Sequence, residues 1–170
     1  ASIENTIHCW AVMLHLGYAN KVIAERMTRL SPVAMRLELK EGVNNCSVIN
    51  DSYNSDLGSL AIALDFLNQQ KQHPKRTLIL SDIFQSGKNE NELYKEVAAL
   101  VKEKGVGRLI GIGDAISGQS AQFDLEKIFY KTTDEFLAAY IPTIFSNETI
   151  LLKGARAFGF ERISQVLQQK

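Results

Sequence analysis

The sequence has no surplus of either charge: nineteen basic and nineteen acidic side chains cancel. A nucleic acid or an anionic membrane surface would find no net field to bind, so neither is expected as a partner. No apolar run approaches the roughly twenty residues of a membrane-spanning helix, and no signal peptide is recognisable. Cysteine is scarce, with only Cys9 and Cys46 far apart in sequence, and two reduced, buried thiols are expected ahead of a disulfide. Histidine is scarce too. His8 and His15 are seven apart on one helical stretch without a completing ligand, and His73 lies before Pro74, so no metal site is expected. A Gly-x-x-x-x-Gly-Lys-Ser/Thr phosphate loop is absent. The glycines between Gly105 and Gly113 precede and lie within a strand instead of opening a helix, so they match a dinucleotide fingerprint only loosely.

What remains is an ordinary globular composition. Apolar residues make up 45% of 170, enough for one core and a small additional piece. The chain begins without Met and already in helical spacing, which reads as part of something longer. Residues 3–30 carry helical periodicity, with Ile7, Trp10, Ala11 and Leu14 on one face, a break at Gly17-Tyr18, and a second helix over 20–30. Ser31-Pro32 ends it, and a domain boundary is expected near residues 32–35.

Beyond the boundary the period shortens. Residues 35–41 alternate, with Met35, Leu37 and Leu39 on one side and Arg36, Glu38 and Lys40 on the other, as in a half-buried edge strand. The short turn at 42–45 forces antiparallel pairing with a strand over 46–50. Strands over 76–81, 108–112, 127–130 and 148–152 then alternate with helices over 57–67, 90–104, 134–140 (capped by Thr133) and 160–168. That alternation predicts an α/β, Rossmann-like fold: an open, mostly parallel sheet with one antiparallel edge strand and helices on both faces.

The central stretch is Val48-Ile49-Asn50-Asp51-Ser52-Tyr53-Asn54-Ser55-Asp56, a strand running through a polar loop into a helix. It reads either as an ordinary turn capped by Asp56 or Ser55, or as a ligand loop where a strand end meets helix N–H groups. The loops at 81–87 and 153–156 fall at the same end of the sheet. Together they predict a cleft with two carboxylates, Asp51 and Asp82, and two cations, Lys153 and Arg156. Arg36 is either a solvated edge charge or a guanidinium reaching a phosphate or carboxylate. Such a mixture suits a ligand with anionic and hydroxyl groups, and it contains no nucleophile set.

Four spaced motifs, Arg36-Leu37-Glu38, Ile49-Asn50-Asp51-Ser52-Tyr53-Asn54, Ser81-Asp82 and Leu152-Lys153-Gly154-Ala155-Arg156, resemble the C-terminal domain of the Mur ligases over the whole chain. The Lys-Gly-Ala-Arg tail resembles the branch that joins D-alanyl-D-alanine to UDP-N-acetylmuramoyl-tripeptide. Details resemble the Bacteroidetes form, in which an alanine racemase follows the ligase in the chain. The resemblance implies residues 1–33 as the helical tail of a central ATPase domain and 34–170 as the C-terminal domain. It implies peptidoglycan precursor synthesis through an acyl phosphate, with ATP and Mg2+ held mainly by the upstream domain and pyridoxal phosphate only in the fused racemase. It assigns Arg36, Asp51, Tyr53, Asn54 and Asn5 to ATP, and Asp82, Lys153 and Arg156 to the incoming dipeptide. No catalytic or metal-binding residue is implied within this chain, which is expected to be inactive alone. Its partners would be both substrates, the upstream domains and the downstream racemase. Asn50 stands where the family commonly has Asp, Ser55-Asp56-Leu57 where it has Ala-Asn-Pro, and Ser2 where it has an asparagine. A non-catalytic nucleotide-binding module or a scaffold for a racemase are the competing expectations.

Overall fold

The computed structural model describes residues 3–30, 35–84 and 86–168. Its strands are β1 (Glu38–Gly42), β2 (Cys46–Asp51), β3 (Lys75–Ser81), β4 (Arg108–Ile112), β5 (Glu126–Tyr130) and β6 (Glu148–Lys153). They form one sheet in the order β1-β2-β6-β3-β4-β5. β1 is antiparallel to β2, and every other pairing is parallel, as expected. Between β1 and β2 the chain reverses over Val43–Asn45, with Asn44 and Asn45 both at positive φ, far too short for a parallel crossover.

The helices are α1 (Ile3–His15), α2 (Asn20–Met27), α3 (Leu57–Gln69), α4 (Glu90–Glu103), α5 (Asp114–Gly118), α6 (Thr133–Ala139) and α7 (Glu161–Leu167). Successive strand residues point to opposite faces, so each strand feeds two cores. Ile49, Leu78 and Leu151 pack with Leu64 of α3 and Val97 of α4 on one face. Val48, Ile79 and Ile150 pack with Phe136 of α6 and Ile163 of α7 on the other. β6 is buried along its whole length, because it has strands on both sides and helices above and below. It is the last strand in the chain, yet it lies between β2 and β3.

Several expectations need correcting. β1 begins at Glu38, not at residue 35. Met35 and Leu37 take φ of 62° and 48°, a left-handed backbone that cannot continue a ladder. The Leu37 N–H instead donates to the Asp51 carboxylate at 3.3 Å, and its side chain packs against the first core. Arg36 therefore lies in a turn and not on the strand. The cap of α6 is Thr132, whose hydroxyl accepts from the Glu135 N–H, while the Thr133 hydroxyl donates to the Phe158 carbonyl.

The chain breaks between α1 and α2 at Gly17, whose φ is 79°. α2 ends at Met27, short of residue 30, with Thr28 as its C-cap. Along these helices Ile7, Trp10 and Leu14 are exposed, and Ile23 is the buried residue among those described. Cys46 is buried as expected, but Cys9 is exposed, because the α1 face that carries it is uncovered. Ser2 and residues 31–34, within the expected boundary, lie outside the described residues.

Candidate functional site

The carboxyl ends of β2, β6 and β3 lie side by side in the sheet. Chain order reverses here, since β6 enters between strands formed much earlier, and such switch points open a crevice outside the strand ends. The loops after β3 and β6 are tied together. The Ala155 N–H donates to Ser81 Oγ at 2.9 Å, and the Phe84 ring stacks on Phe158 with centroids 5.9 Å apart. Gly154 is required by a close approach: a Cβ there would stand 2.6 Å from the Phe160 ring.

Parallel register sets Asp51 opposite Lys153 at the last rung of β2 and β6. Lys153 Nζ donates to Asp51 Oδ2 at 2.7 Å, with side-chain exposures of only 1% and 9%. Lys153 and Asp51, expected at one end of the sheet, meet there as a buried ion pair. Asp51 Oδ1 also accepts from Leu37. A carboxylate offers about four acceptor directions, so two of them remain for a ligand hydroxyl.

Asp82 is also engaged. Its Oδ1 accepts from the Ile116 N–H at 2.8 Å and from the Tyr94 hydroxyl at 3.4 Å, and Oδ2 accepts from the Ala115 N–H at 3.3 Å. The carboxylate therefore caps the short helix α5 across the sheet. Gly113, at φ 140°, makes room for it, since a Cβ would lie 2.3 Å from the carboxylate. Burial first, and then the Asp82 charge, push the Tyr94 phenol well above its ordinary value, so it stays a hydrogen-bond donor.

With those charges internally satisfied, the open surface carries the arginines. Tyr53 is 43% exposed. The Arg36 guanidinium lies over its ring at 4.5 Å from the centroid, and that of Arg156 at 5.8 Å. Tyr53, Arg36 and Arg156 come from three separate segments, and the fold brings them to one place. Exposed Asn54 donates to Asp56 Oδ2 at 2.9 Å. Asp56 is the cap of α3, in a reciprocal box with Ser59. Burial alone would raise its carboxyl, but the Ser59 N–H and hydroxyl, the Lys153 charge and the Gly58 N–H hold it below the usual range. Asn5 is exposed on α1.

Some supporting residues were not anticipated. Buried Ser52 donates to Asn50 Oδ1 at 2.6 Å, and Asn50 donates onward to Ser164 Oγ of α7 at 3.3 Å. This chain of bonds anchors the loop from below. The Ser55 hydroxyl is buried beside it with no partner among the described residues. Alternating small polar residues after an apolar strand were the available signal, but nothing in the sequence names Ser164 as the far anchor.

Comparison with known proteins now adds to this geometry. The family model described as "Mur ligase, glutamate ligase domain" matches residues 35–156. The UDP-N-acetylmuramoyl-tripeptide–D-alanyl-D-alanine ligase of Bacillus subtilis (strain 168) is 25% identical over 167 residues, covering 95% of this chain and 36% of that protein. The enzyme of the same description from Escherichia coli (strain K12) is 25% identical over 174 residues, covering 99% and 37%. Crystal structure II of MurF from Acinetobacter baumannii shares the fold at a TM-score of 0.77 and 20% identity, covering 96% of this chain and 37% of that one. The chain spans about a third of the length of the curated relatives it matches.

Proposed function

This chain belongs to the Mur ligase family, and from that premise we propose that it is the C-terminal domain of an ATP-dependent amide ligase. The proposed reaction adds D-alanyl-D-alanine to UDP-N-acetylmuramoyl-tripeptide in the cytoplasm, during peptidoglycan precursor synthesis. A tripeptide carboxylate would attack the terminal phosphorus of ATP, releasing ADP and forming an acyl phosphate. The dipeptide amine would then attack the acyl carbon, and inorganic phosphate would leave.

The observation that carries this reading is the sheet-end cluster. Two exposed guanidiniums gather on Tyr53 beside Asp51, which retains acceptor capacity for hydroxyl groups. That combination fits a nucleotide, with phosphate facing Arg36 and ribose hydroxyls facing Asp51. Tyr53, Asn54 and Asn5 are assigned to the nucleotide side. Lys153, Arg156 and the Asp82 loop are assigned to the dipeptide side, with Lys153 acting through its pairing to Asp51 and Asp82 through the helix it caps. Mg2+ is assigned to upstream segments, as the family resemblance implies. The domain's own contribution is closure, which excludes water from the acyl phosphate and adds positive charge beside the transferring phosphoryl group.

A downstream alanine racemase, holding the pyridoxal phosphate, is the further part of the proposal, and its support is sequence resemblance alone. Alanine racemisation assayed in the full-length protein tests that part separately. The ligase reading is tested by mass spectrometry of the full-length protein's product. An ATP-dependent gain of one dipeptide on the UDP-tripeptide is expected, and an unchanged substrate would reject ligation.

A further inference from the structure

Resting on that ligase reading but moving Arg156 from the dipeptide side to the nucleotide side, the geometry points to Tyr53 as a post that gathers Arg36 and Arg156 into one clamp for a single phosphate group. By family position the two arginines would serve different substrates. In the structure they share one ring. Each guanidinium carbon lies over Tyr53, at 4.5 and 5.8 Å from its centroid, so the two can be no further apart than the sum of those distances. Arg36 arrives from the turn before β1 and Arg156 from the loop after β6, and Tyr53 follows β2, which lies between those strands.

Charge accounting points the same way. Among the described residues the arginine ion pairs involve Arg29, Arg108 and Arg162, and neither Arg36 nor Arg156 takes part in one. The nearby carboxylates are already in use: Asp51 by Lys153, Asp56 by Ser59 and Asn54, and Asp82 by α5. Among the described residues, two like charges are therefore held together over one aromatic face that attracts both, an arrangement that an oxyanion completes. One guanidinium already satisfies both oxygens of a carboxylate, whereas a terminal phosphate has oxygens for two. Phosphate is the better match. Tyr53 is then a positioning residue: its ring sets the spacing of the clamp, and its hydroxyl is not needed.

The test is site-resolved labelling of arginines by phenylglyoxal in the full-length protein, read by peptide mass spectrometry while tripolyphosphate is titrated in. Protection of Arg36 and Arg156 is expected with one common midpoint. Tyr53→Phe should leave that midpoint within about twofold, while Tyr53→Leu should raise it about tenfold or more at both arginines. Tyr53 is substantially exposed, so both variants should melt with the unaltered protein. D-alanyl-D-alanine alone should protect neither arginine. Separate midpoints, protection of one arginine only, protection of Arg156 by the dipeptide, or an unshifted midpoint in Tyr53→Leu would each overturn the clamp. Labelling does not depend on ligation, so a failed ligase reading and a failed clamp remain distinguishable.

Discussion

Strand β6 carries an ion pair at each end, and the two pairs are built differently. At its first residue, Glu148 accepts from Arg108 Nη2 at 2.7 Å, from the Thr77 hydroxyl and from the Ser146 N–H. Arg108 in turn donates to Thr77 and to the Ile144 carbonyl, and its guanidinium lies 4.8 Å from the Phe145 centroid. That end is closed. At the last residue, Lys153 donates to Asp51 and makes no other hydrogen bond to the described residues, and the surface beside it is lined by Tyr53, Arg36 and Arg156. A saturated buried pair maintains a fold, whereas a pair with acceptor capacity left over can hold a ligand. On the proposed ligase reading, the same sheet separates stability from function along a single strand.

The sharpest way to break that contrast is to remove one partner at the closed end. Arg108→Met leaves buried Glu148 with the half-exposed Lys75 ammonium, 3.8 Å away, as its remaining counter-charge, and should cost about 3 kcal/mol or more in urea unfolding. Phosphate release per folded molecule should not change; a loss of activity in the folded fraction would erase the distinction. Gly113→Ala comes next. It forces a side chain onto φ 140° and into the Asp82 carboxylate, and about 1–3 kcal/mol of destabilisation is expected by the same measurement. At the open end, Lys153→Met should cost about 1–3 kcal/mol, less than Arg108→Met, because Asp51 is nearer to solvent and keeps the Leu37 N–H. Its phosphate release should nevertheless fall, which sharpens the comparison.

The smallest effect is the titration of Asp56. Its carboxyl is depressed in the folded state, so its contribution is complete above the ordinary carboxylate range and disappears as pH falls through the lower folded value. Melting temperature followed from about pH 5 to about pH 2 should decline less steeply in Asp56→Ala than in the unaltered protein. At neutral pH that substitution should cost about 1 kcal/mol, the usual worth of a helix cap.

The open end was largely legible in the sequence. Period-two and period-three-to-four patterns located nearly every element, and strand-end logic brought Asp51, Lys153 and Arg156 to one side. The closed end was not legible, because Arg108 and Glu148 are 40 residues apart and no local pattern joins them. Asp82 was expected to face the cleft because it follows a strand, but α5 offers it free N–H groups across the sheet. Gly113 at the end of β4 was the one clue to that arrangement. The start of β1 was misplaced because alternation in residues 35–37 resembles a strand, while a tertiary hydrogen bond from Leu37 to Asp51 bends the backbone out of it. Periodicity reports which residues are apolar, and it is silent about contacts made at long range.

The most direct measurement is dipeptide-dependent phosphate release by the full-length protein with ATP, Mg2+ and UDP-N-acetylmuramoyl-tripeptide, alongside Asp51→Ala and Arg36→Ala. Release that requires D-alanyl-D-alanine and falls roughly tenfold or more in each variant, at least about 1.4 kcal/mol of transition-state stabilisation, is the result expected of a nucleotide-gripping ligase domain. Release that is absent, or indifferent to both substitutions, would contradict it and leave the domain a binding or scaffold role.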